Sequence, residues 1–556
     1  MVAAISAVII FFAHFRAFTE RYVTNDDVRQ QIFWMQQWRD PELYRSDLLC
    51  DYARHYVPWG VQSLYWLAAH VMNPIFFSKV LTAFLFVFLS CCFHSAGKTL
   101  GGRRLGWIAA GSSWLLPIFL DNFSGGLSRS FAAPLLALFL ACALERSARG
   151  VLGSLFLQAL FIPYIFIPCA LAVCLWWASW KAHRAQPPPF PSKWPHFALL
   201  AAMGVLVLLM YHSLNKAGYG PLVSYNEMAG RPEFGREGRF TFLPVPSLLW
   251  EVAAVPIGYT GLFREWGVPW GTVSFLLIAC ALAAGGWARE WKPLRGHLPP
   301  FLHLALASAI LYFLARLVLL KLFIPGRYVS YTAAVFYCLL IALCLQGLAQ
   351  KWNPGRGALA VAIAAAAVLG AVRLHDVGLF DYSSDKNLCE AILRNTPKNA
   401  VIAGHPYHMD NVITFGRRRV FVSYKLAHPW CRGYWERLRP RFEDFFRAYY
   451  AADPREVLKF AAERHIDFIV VDDRNFDPDF IRGDSLSQRG VEEMEEQMGD
   501  GERRPFFAPF NQEIREYVGE RRSFALLQPG IFKEIPVDAH VRILDLRPAP
   551  GKAGAG

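Results

Sequence analysis

Charged residues are scarce in this sequence. Only 18% of its 556 residues are Asp, Glu, Lys or Arg, whereas a typical soluble domain carries roughly 25%. Hydrophobic residues make up 54%, and the mean hydropathy is +0.25. A single soluble globular domain is therefore excluded. Apolar runs of about 18 or more residues indicate membrane helices, and we identify the following apolar runs: 2–18, 75–95, 105–120, 131–144, 151–180, 197–213, 267–288, 301–323, 328–349 and 358–374.

Zinc-type spacing is missing among the 11 cysteines. Most of them lie in apolar runs and are interpreted as small core residues. Cys389 and Cys431 lie in more polar segments, and a disulfide between them is one alternative. The first apolar run also lacks an A-x-A cleavage site, so we expect a membrane anchor instead of a removed signal peptide.

Nucleic acid is excluded as a partner, although the formal net charge is +13. Lys and Arg concentrate in short loops between apolar runs, which is the pattern that orients proteins in the cytoplasmic (inner) membrane. With these loops inside, the extracytoplasmic side receives the first outer loop 19–74, the short loop 121–130, the loop 214–266, the turn near 324–327 and everything after about 375. The basic loops lie within 98–104, 146–149, 181–193, 289–295 and 351–356.

The run 151–180 departs from this alternation because both its flanks are basic. Pro163 and Pro168 lie near its middle, and proline breaks helices. The sequence therefore predicts a helical hairpin that enters the membrane and returns to the same side. Backbone broken at that depth needs cover from neighbouring helices.

The segment after the last run differs in kind, because predicted helices and strands alternate along it. Helices are predicted in 383–397 and 454–465, and strands in 400–404 and 467–473. The domain organisation that follows has three parts: a transmembrane domain over 1–375, an extracytoplasmic α/β domain over 376–548, and a disordered tail over 549–556.

Two adjacent carboxylates, Asp26 and Asp27, follow the first apolar run directly, within RYVTNDDVRQQ. Positions 27, 31, 34, 35 and 38 have helical spacing, which predicts an amphipathic helix lying along the membrane surface. One interpretation makes Asn25 or Asp26 a helix N-cap. The other makes the pair part of an active site, since neighbouring carboxylates repel and shift each other's pKa.

Two outer loops also carry a lone arginine, where the orientation rule would favour neutral residues. Arg129 lies in GLSRSFA, shortly after Asp121, and Arg327 follows a Pro-Gly break in PGRY. Each arginine could simply extend its charge to the membrane boundary. Arginine is also the preferred side chain for gripping phosphate with two parallel hydrogen bonds, so an anionic lipid headgroup is the alternative ligand.

The order and sidedness of these motifs resemble the GT-C superfamily of integral-membrane glycosyltransferases, with bacterial mannosyltransferase-like and Rgt-type proteins nearest. The resemblance rests on the acids of NDD, on GLSRSFA and on PGRY. It implies a polytopic α-helical GT-C-like bundle with a C-terminal extracytoplasmic α/β domain. It also implies transfer of a sugar from a polyprenyl-phosphate donor to an extracytoplasmic glycan, lipid or protein acceptor, with inversion at the anomeric carbon.

Carried onto this chain, the resemblance makes Asp26 and Asp27 the catalytic carboxylates, with Asp26 preferred as the base. Arg129 and Arg327 would hold the donor phosphate. No metal ligands are assigned, and the need for a divalent metal stays open. The remaining candidates for substrate contact are Asp121, Tyr328, His55 and Glu227.

Alternatives to this assignment exist for the site and for the function. His405, His408 and Asp410 in AGHPYHMD combine imidazole and carboxylate, which can bind a metal, although a loop following a strand, with no metal, is the favoured interpretation. A transporter or flippase of lipid-linked glycans would need deep charges or paired broken helices. A non-catalytic membrane scaffold would leave the acidic pair and the outer arginines without a role.

Overall fold

The computed structural model describes a defined part of the chain, namely residues 1–183, 187–189, 194–235, 238–240, 247–253, 296–322, 324–352, 355–478, 509–520 and 523–547. Three predictions lie outside these residues: the apolar run 267–288, the basic loop 289–295 and the tail 549–556.

Two compact units make up the chain, and each draws on three segments. The first unit comprises Met1–Val28, Val57–Ser213 and Pro244–Leu379. The second comprises Arg29–Tyr56, Leu214–Leu243 and Phe380–Gly556. The second unit thus includes parts of the loops 19–74 and 214–266 in addition to the C-terminal segment.

The first unit contains the long apolar helices. Five described helices are long and apolar enough to cross a membrane: Pro74–Trp114, Pro163–His183, Trp194–Lys216, Leu298–Leu317 and Arg327–Trp352. Four shorter apolar helices accompany them: Val2–Ala13, Ala132–Leu144, Ala148–Phe161 and Arg356–Arg373. Short helices complete the described part of this unit: Phe15–Thr19, Trp59–Ala69, Pro117–Phe123 and Leu248–Ala253. The predicted multi-pass helical bundle is confirmed.

The structure shows how the backbone departs from a regular helix at two predicted breaks in the apolar runs. The helix Pro74–Trp114 contains non-helical backbone at Gly101 and Gly102, where a basic loop was predicted between two runs. The run 151–180 divides into two helices at Ile162, just before Pro163. Pro168 lies inside the second helix and does not end it, so only one of the two prolines marks the break.

The predicted amphipathic surface helix after the acidic pair is wrong. A single helical turn, Val28–Gln31, is followed by a 3-10 helix, Phe33–Trp38. Phe33 and Trp34 are completely buried, and Gln36 Nε2 donates to the Thr414 carbonyl at 3.0 Å. This apolar face therefore packs inside the second unit and does not lie on a lipid surface.

The second unit is an α/β domain, as predicted. Its strands are β2 (Phe380–Asp381), β3 (Val401–Ala403), β4 (Arg419–Val420), β5 (Phe468–Asp472), β6 (Lys533–Pro536) and β7 (Val541–Asp545); β1 (Val23–Thr24) belongs to the first unit. Five strands form one sheet in the order β4-β3-β5-β7-β6. β3 pairs with β4 and β5 in parallel, and β7 pairs with β5 and β6 in antiparallel fashion.

Helices surround this sheet in sequence, and two of them coincide with predicted ones. Lys386–Asn395 precedes β3, and Pro454–Arg464 precedes β5 with the Asp453 side chain as its N-cap. The other described helices of this unit are Leu48–Tyr56, Tyr225–Met228, Pro406–Asn411, Arg432–Tyr449 and Phe510–Glu520. Cys389 and Cys431 are both free thiols, so the alternative of a disulfide between them is not realised.

Candidate active site

The acidic pair lies on a turn that Asn25 stabilises. Asn25 Oδ1 accepts a hydrogen bond from the Asp27 backbone N–H at 3.1 Å, and its Nδ2 donates to the Gly378 carbonyl at 2.8 Å. The local capping role therefore belongs to Asn25. Asp26 is buried, with 8% of its surface exposed. The side chain that accepts the backbone hydrogen bond of this turn is therefore that of Asn25.

Asp27 forms an ion pair with Arg129. Arg129 NH1 lies 2.9 Å from Asp27 Oδ2, and its NH2 donates to Asn25 Oδ1 at 3.4 Å. The Nε of Arg129 is buried and has no hydrogen-bond partner among the residues that the structure describes. A buried donor without a partner has a cost in free energy. A ligand oxygen that accepts from Nε would remove this cost, so the guanidinium can take up a further acceptor.

Glycine allows the GLSRSFA loop to come this close to the acidic pair. Gly125 has φ +91°, and a Cβ added there would lie 2.8 Å from the Asn25 Cβ and 3.0 Å from Val28 Cγ2. Any other residue would strain the backbone and collide with the turn. Ser130 fixes the following segment, because its hydroxyl accepts from the Leu127 N–H and donates to the Phe123 carbonyl, both at 2.8 Å.

Arg327 joins the same group of charges from the start of the helix Arg327–Trp352. Its NH1 donates to the Tyr331 hydroxyl at 2.6 Å, and it interacts electrostatically with Tyr164 and Asp27. Asp121 interacts electrostatically with Asp27 and with both arginines.

We call these four residues the arginine–aspartate cluster: Asp27, Asp121, Arg129 and Arg327. Burial raises the pKa of the Asp121 carboxyl, against the opposing effect of the positive charges of Arg129 and Arg327. Side chains as far apart in the sequence as Asp27 and Arg327 therefore meet in one group of partly buried charges within the first unit.

The other sequence-derived candidates have partners elsewhere. Tyr328 is 1% exposed, packs with Leu311 and Ala315, and donates its hydroxyl to the Leu322 carbonyl. His55 Nδ1 bonds the Asp51 carbonyl at 2.8 Å, and Glu227 pairs with Arg432. Both His55 and Glu227 belong to the second unit. Their proposed contacts with substrate remain predictions.

Sequence reasoning missed three side chains that contact the cluster. Tyr331 lies four residues after Arg327, so helical spacing could have revealed it. Asn25 was weighed as a cap but not as a partner of Arg129. Tyr164 interacts with Arg327 and Tyr331 and follows the proline that breaks the run 151–180. A polar ring beside a break in an apolar run was the available signal.

The alternative metal site has a different explanation in the structure. His408 Nδ1 lies 2.9 Å from Asp385 Oδ1, and its Nε2 lies 3.1 Å from Asp472 Oδ2. Asp410 instead accepts from Ser423 Oγ at 2.6 Å. In the described part of the chain, no three His, Cys, Asp or Glu side chains form a set of metal ligands. Both nitrogens of His408 are occupied by carboxylates, so it is a charged structural centre.

The surroundings of His408 and His405 shift the pKa values of these two histidines in opposite directions. Burial opposes protonation of His408, but the charges and hydrogen bonds of Asp385 and Asp472 outweigh it and raise its pKa to about 10. Burial alone dominates at His405 and lowers its pKa to about 3. At neutral pH, His408 is therefore an imidazolium and His405 a neutral imidazole.

Comparison with known proteins places the fold. Neither a protein family nor a curated protein matches this sequence. Among solved structures, the chain is similar to the oligosaccharyltransferase of Archaeoglobus fulgidus in complex with zinc and sulfate. Identity is 14% and the TM-score 0.51, over 89% of this chain and 70% of that one. ArnT of Cupriavidus metallidurans bound to undecaprenyl phosphate is 12% identical, with a TM-score of 0.46, over 99% and 98%.

The fold is therefore that of the GT-C glycosyltransferases: a membrane helical bundle with a C-terminal domain that contains a sheet. The resemblance that the acidic pair, GLSRSFA and PGRY suggested is confirmed at the level of the fold.

We expect His408 to stabilise the protein in a pH-dependent way. Its pKa is about 10 in the folded protein and about 6.5 in an unfolded chain. The stabilisation is therefore complete below about pH 6.5 and is lost as pH rises through about 10. The melting temperature of His408→Gln should be lowest relative to wild type at pH 6, and the difference should narrow steadily up to pH 10.

His405→Gln is the matched control. His405 is neutral in the folded protein, and in the unfolded chain it is also neutral above about pH 7.5, so its substitution should give a melting-temperature difference that does not change between about pH 7.5 and 10. A constant difference for His408→Gln as well would show that His408 is not an imidazolium in the folded protein.

Proposed function

We propose that this chain transfers a sugar from a polyprenyl-phosphate-linked donor to an acceptor outside the cytoplasmic membrane. The observation that carries the proposal is the arginine–aspartate cluster, which combines two guanidiniums with carboxylates in the unit that contains the membrane helices. The unused Nε of Arg129 and the position of Arg327 at the start of a long apolar helix suit a phosphate at the membrane boundary.

In the proposed reaction, a carboxylate removes the proton from an acceptor hydroxyl. The hydroxyl oxygen then attacks the anomeric carbon, and the bond from that carbon to the phosphate oxygen breaks. The phosphate keeps the electron pair of this bond, and Arg129 and Arg327 stabilise the charge that develops there. A single displacement of this kind inverts the anomeric centre.

The two acids of the pair take different roles in this proposal. A carboxylate that pairs with a guanidinium fixes the orientation of that guanidinium. Asp27 is bound in this way by Arg129 at 2.9 Å, so it suits the task of orienting that arginine. Asp26 is then the proposed base, and Asp27 is a positioning residue for the donor phosphate.

A metal ion has no assigned role in the proposed reaction. The described residues do not offer three His, Cys, Asp or Glu side chains arranged as ligands, so no step is routed through a metal. The two guanidiniums supply the positive charge that a leaving phosphate needs. The acceptor would be a glycan, a lipid or a protein, and the second unit would lie on the outer side.

Replacing the acids should separate their roles. We expect Asp26→Asn to abolish transfer with little change in donor affinity, because the amide cannot accept the proton. Asp27→Asn should chiefly raise the KM for the donor, because Arg129 loses its ionic partner. Asp26→Asn should melt close to wild type, whereas Asp27→Asn should melt at a lower temperature because Arg129 keeps its charge without its partner. The measurement is steady-state transfer by the purified, folded protein with a polyprenyl-phosphate sugar. Full activity in both variants would contradict the catalytic assignment.

Arg327 should be sensitive to a conservative change. A charge-assisted contact is worth about 1.5–3 kcal/mol, and lysine cannot reproduce the planar fork of arginine. We therefore expect Arg327→Lys to weaken donor use by about one to two decades, and Arg327→Ala to weaken it more. The dependence of rate on donor concentration measures this effect.

Arg316 provides a matched control for Arg327. Its NH1 donates to the Tyr312 hydroxyl at 3.0 Å, so it repeats the pairing of an arginine with a tyrosine four residues away. Arg316→Lys should leave donor use unchanged. If both substitutions lower the melting temperature and neither alters donor use, Arg327 has only a structural role.

The proposed sidedness can be tested by labelling. Single cysteines would be introduced at two exposed positions, Arg103 in a basic loop and Glu534 in β6. An impermeant thiol reagent added to intact cells should label the Glu534→Cys protein and not the Arg103→Cys protein. Unsubstituted protein controls for the native thiols, including exposed Cys174. Labelling at Arg103→Cys alone would reverse the orientation and remove the outer active site.

A further inference from the structure

A third acid lies next to the arginine–aspartate cluster and was not singled out by the sequence. Glu251 belongs to the short helix Leu248–Ala253 and is 8% exposed. A Cβ added to Gly326 would lie 2.6 Å from Glu251 Cδ and 2.8 Å from its Oε2. The carboxylate therefore packs directly on the backbone of Gly326, one residue before Arg327.

The helix that carries Glu251 is held against the helix Arg327–Trp352. The Tyr337 hydroxyl donates to the Val252 carbonyl at 2.8 Å, next to Glu251 in the chain. Glu251 interacts electrostatically with Arg327, and the same helix also carries Tyr328, Tyr331, Tyr337, Cys338 and Cys344. Burial raises the pKa of the Glu251 carboxyl, and the positive charge of Arg327 opposes this effect.

Carboxylates already outnumber guanidiniums around the proposed phosphate site. Among the described residues, three carboxylates (Asp27, Asp121 and Glu251) interact electrostatically with two guanidiniums (Arg129 and Arg327). A phosphate that enters this group of charges adds further negative charge. Like charges in partly buried surroundings are costly, so binding is favoured if one carboxylate moves away or takes up a proton.

We propose that Glu251 occupies the anion position beside Arg327 while the donor is absent, and that polyprenyl phosphate displaces or neutralises it on binding. This inference rests on the proposed function, because it takes the cluster to be the phosphate site. Glu251 is the suitable residue for the exchange, since it comes from a separate short helix, whereas Asp27 is fixed beside the Asn25 turn. Carboxylate and phosphate oxygens can accept the same hydrogen bonds.

The two possible roles of Glu251, competition with the phosphate and orientation of Arg327, predict opposite effects on phosphate affinity. If Glu251 competes with the phosphate, removing its charge strengthens phosphate binding. If Glu251 only orients Arg327, the same change weakens binding. An isosteric amide is the informative replacement, because Glu251→Gln keeps the shape and packing against Gly326 while it removes the charge.

The experiment measures binding of undecaprenyl phosphate to the purified full-length chain in detergent at pH 7.5. We expect Glu251→Gln to bind about tenfold more tightly than wild type, which corresponds to about 1.4 kcal/mol. Glu20→Gln is the control, because Glu20 is an exposed acid of the same unit that pairs with Arg16. Its affinity should equal that of wild type. Unchanged or weaker binding by Glu251→Gln would overturn the proposal.

Dependence on pH gives a second readout. Protonation of Glu251 would abolish the competition in wild type, so the ratio of the wild-type Kd to the Glu251→Gln Kd should shrink towards one as pH falls from 8 to 5. Protonation of the lipid phosphate lowers its charge over the same range and weakens its repulsion by Glu251, so it shrinks the ratio in the same direction. A ratio that stays constant over the range would contradict the proposal. If Glu251→Gln fails to fold, Glu251→Ala tests the same sign of change.

Failure of this inference can be told apart from failure of the proposed function. If Arg327→Lys loses affinity for undecaprenyl phosphate while Glu251→Gln binds like wild type, only the role of Glu251 is wrong. If Arg327→Lys and Arg129→Lys both bind like wild type, the cluster is not the phosphate site, and the proposed function fails with it.

Discussion

The ion pair between Arg129 and Asp27 is the interaction on which the candidate site depends. A guanidinium in partly buried surroundings at the membrane boundary has a large cost of desolvation unless a carboxylate compensates it. The 2.9 Å contact between Arg129 and Asp27 requires the GLSRSFA loop to lie against the Asn25 turn. This close approach requires glycine at position 125, because a side chain there would collide with the turn. Arg327 is accommodated by a hydrogen bond to the Tyr331 hydroxyl and by electrostatic attraction to Asp27. The pairing of charge therefore holds these two loops against each other.

Two buried groups of charge in this protein differ in how completely they are satisfied. His408 has a carboxylate on each ring nitrogen, and its pKa of about 10 reflects that saturation. Arg129 uses both terminal nitrogens, but its buried Nε has no partner within the described residues. A saturated group stabilises the fold and has no capacity for a ligand, whereas an unsaturated group can gain an acceptor. This difference, together with the meeting of two arginines and two carboxylates in the first unit, makes the arginine–aspartate cluster the candidate site and His408 a structural centre.

The sequence predicted correctly those elements whose structure is decided by a local property of the chain, such as length, apolarity or periodicity. Length and apolarity identify membrane helices, and alternation of helix and strand identified the α/β domain through Val401–Ala403 and Phe468–Asp472. It failed for Phe33–Trp38, because the same apolar spacing suits a lipid surface and a protein interior. Four candidate residues did come together, but the pairing of Asp27 with Arg129 spans a hundred positions of chain and has no local signature. Glu251 was missed because its role depends on contact with a backbone, Gly326, that carries no side chain.

An excess of carboxylates near two arginines has a consequence for turnover. In the proposed reaction, the donor is a phosphodiester with one negative charge, and the product lipid is a phosphomonoester that can carry nearly two. Two unopposed guanidiniums would therefore bind the product more tightly than the donor, and release would limit the rate. A carboxylate such as Glu251, returning to Gly326 and Arg327, offsets this preference because it repels the more highly charged ligand more strongly. The two arginines accelerate transfer only if they stabilise the transition state more than they stabilise the bound donor. Competition by Glu251 weakens binding of the ground state and so helps to meet this condition.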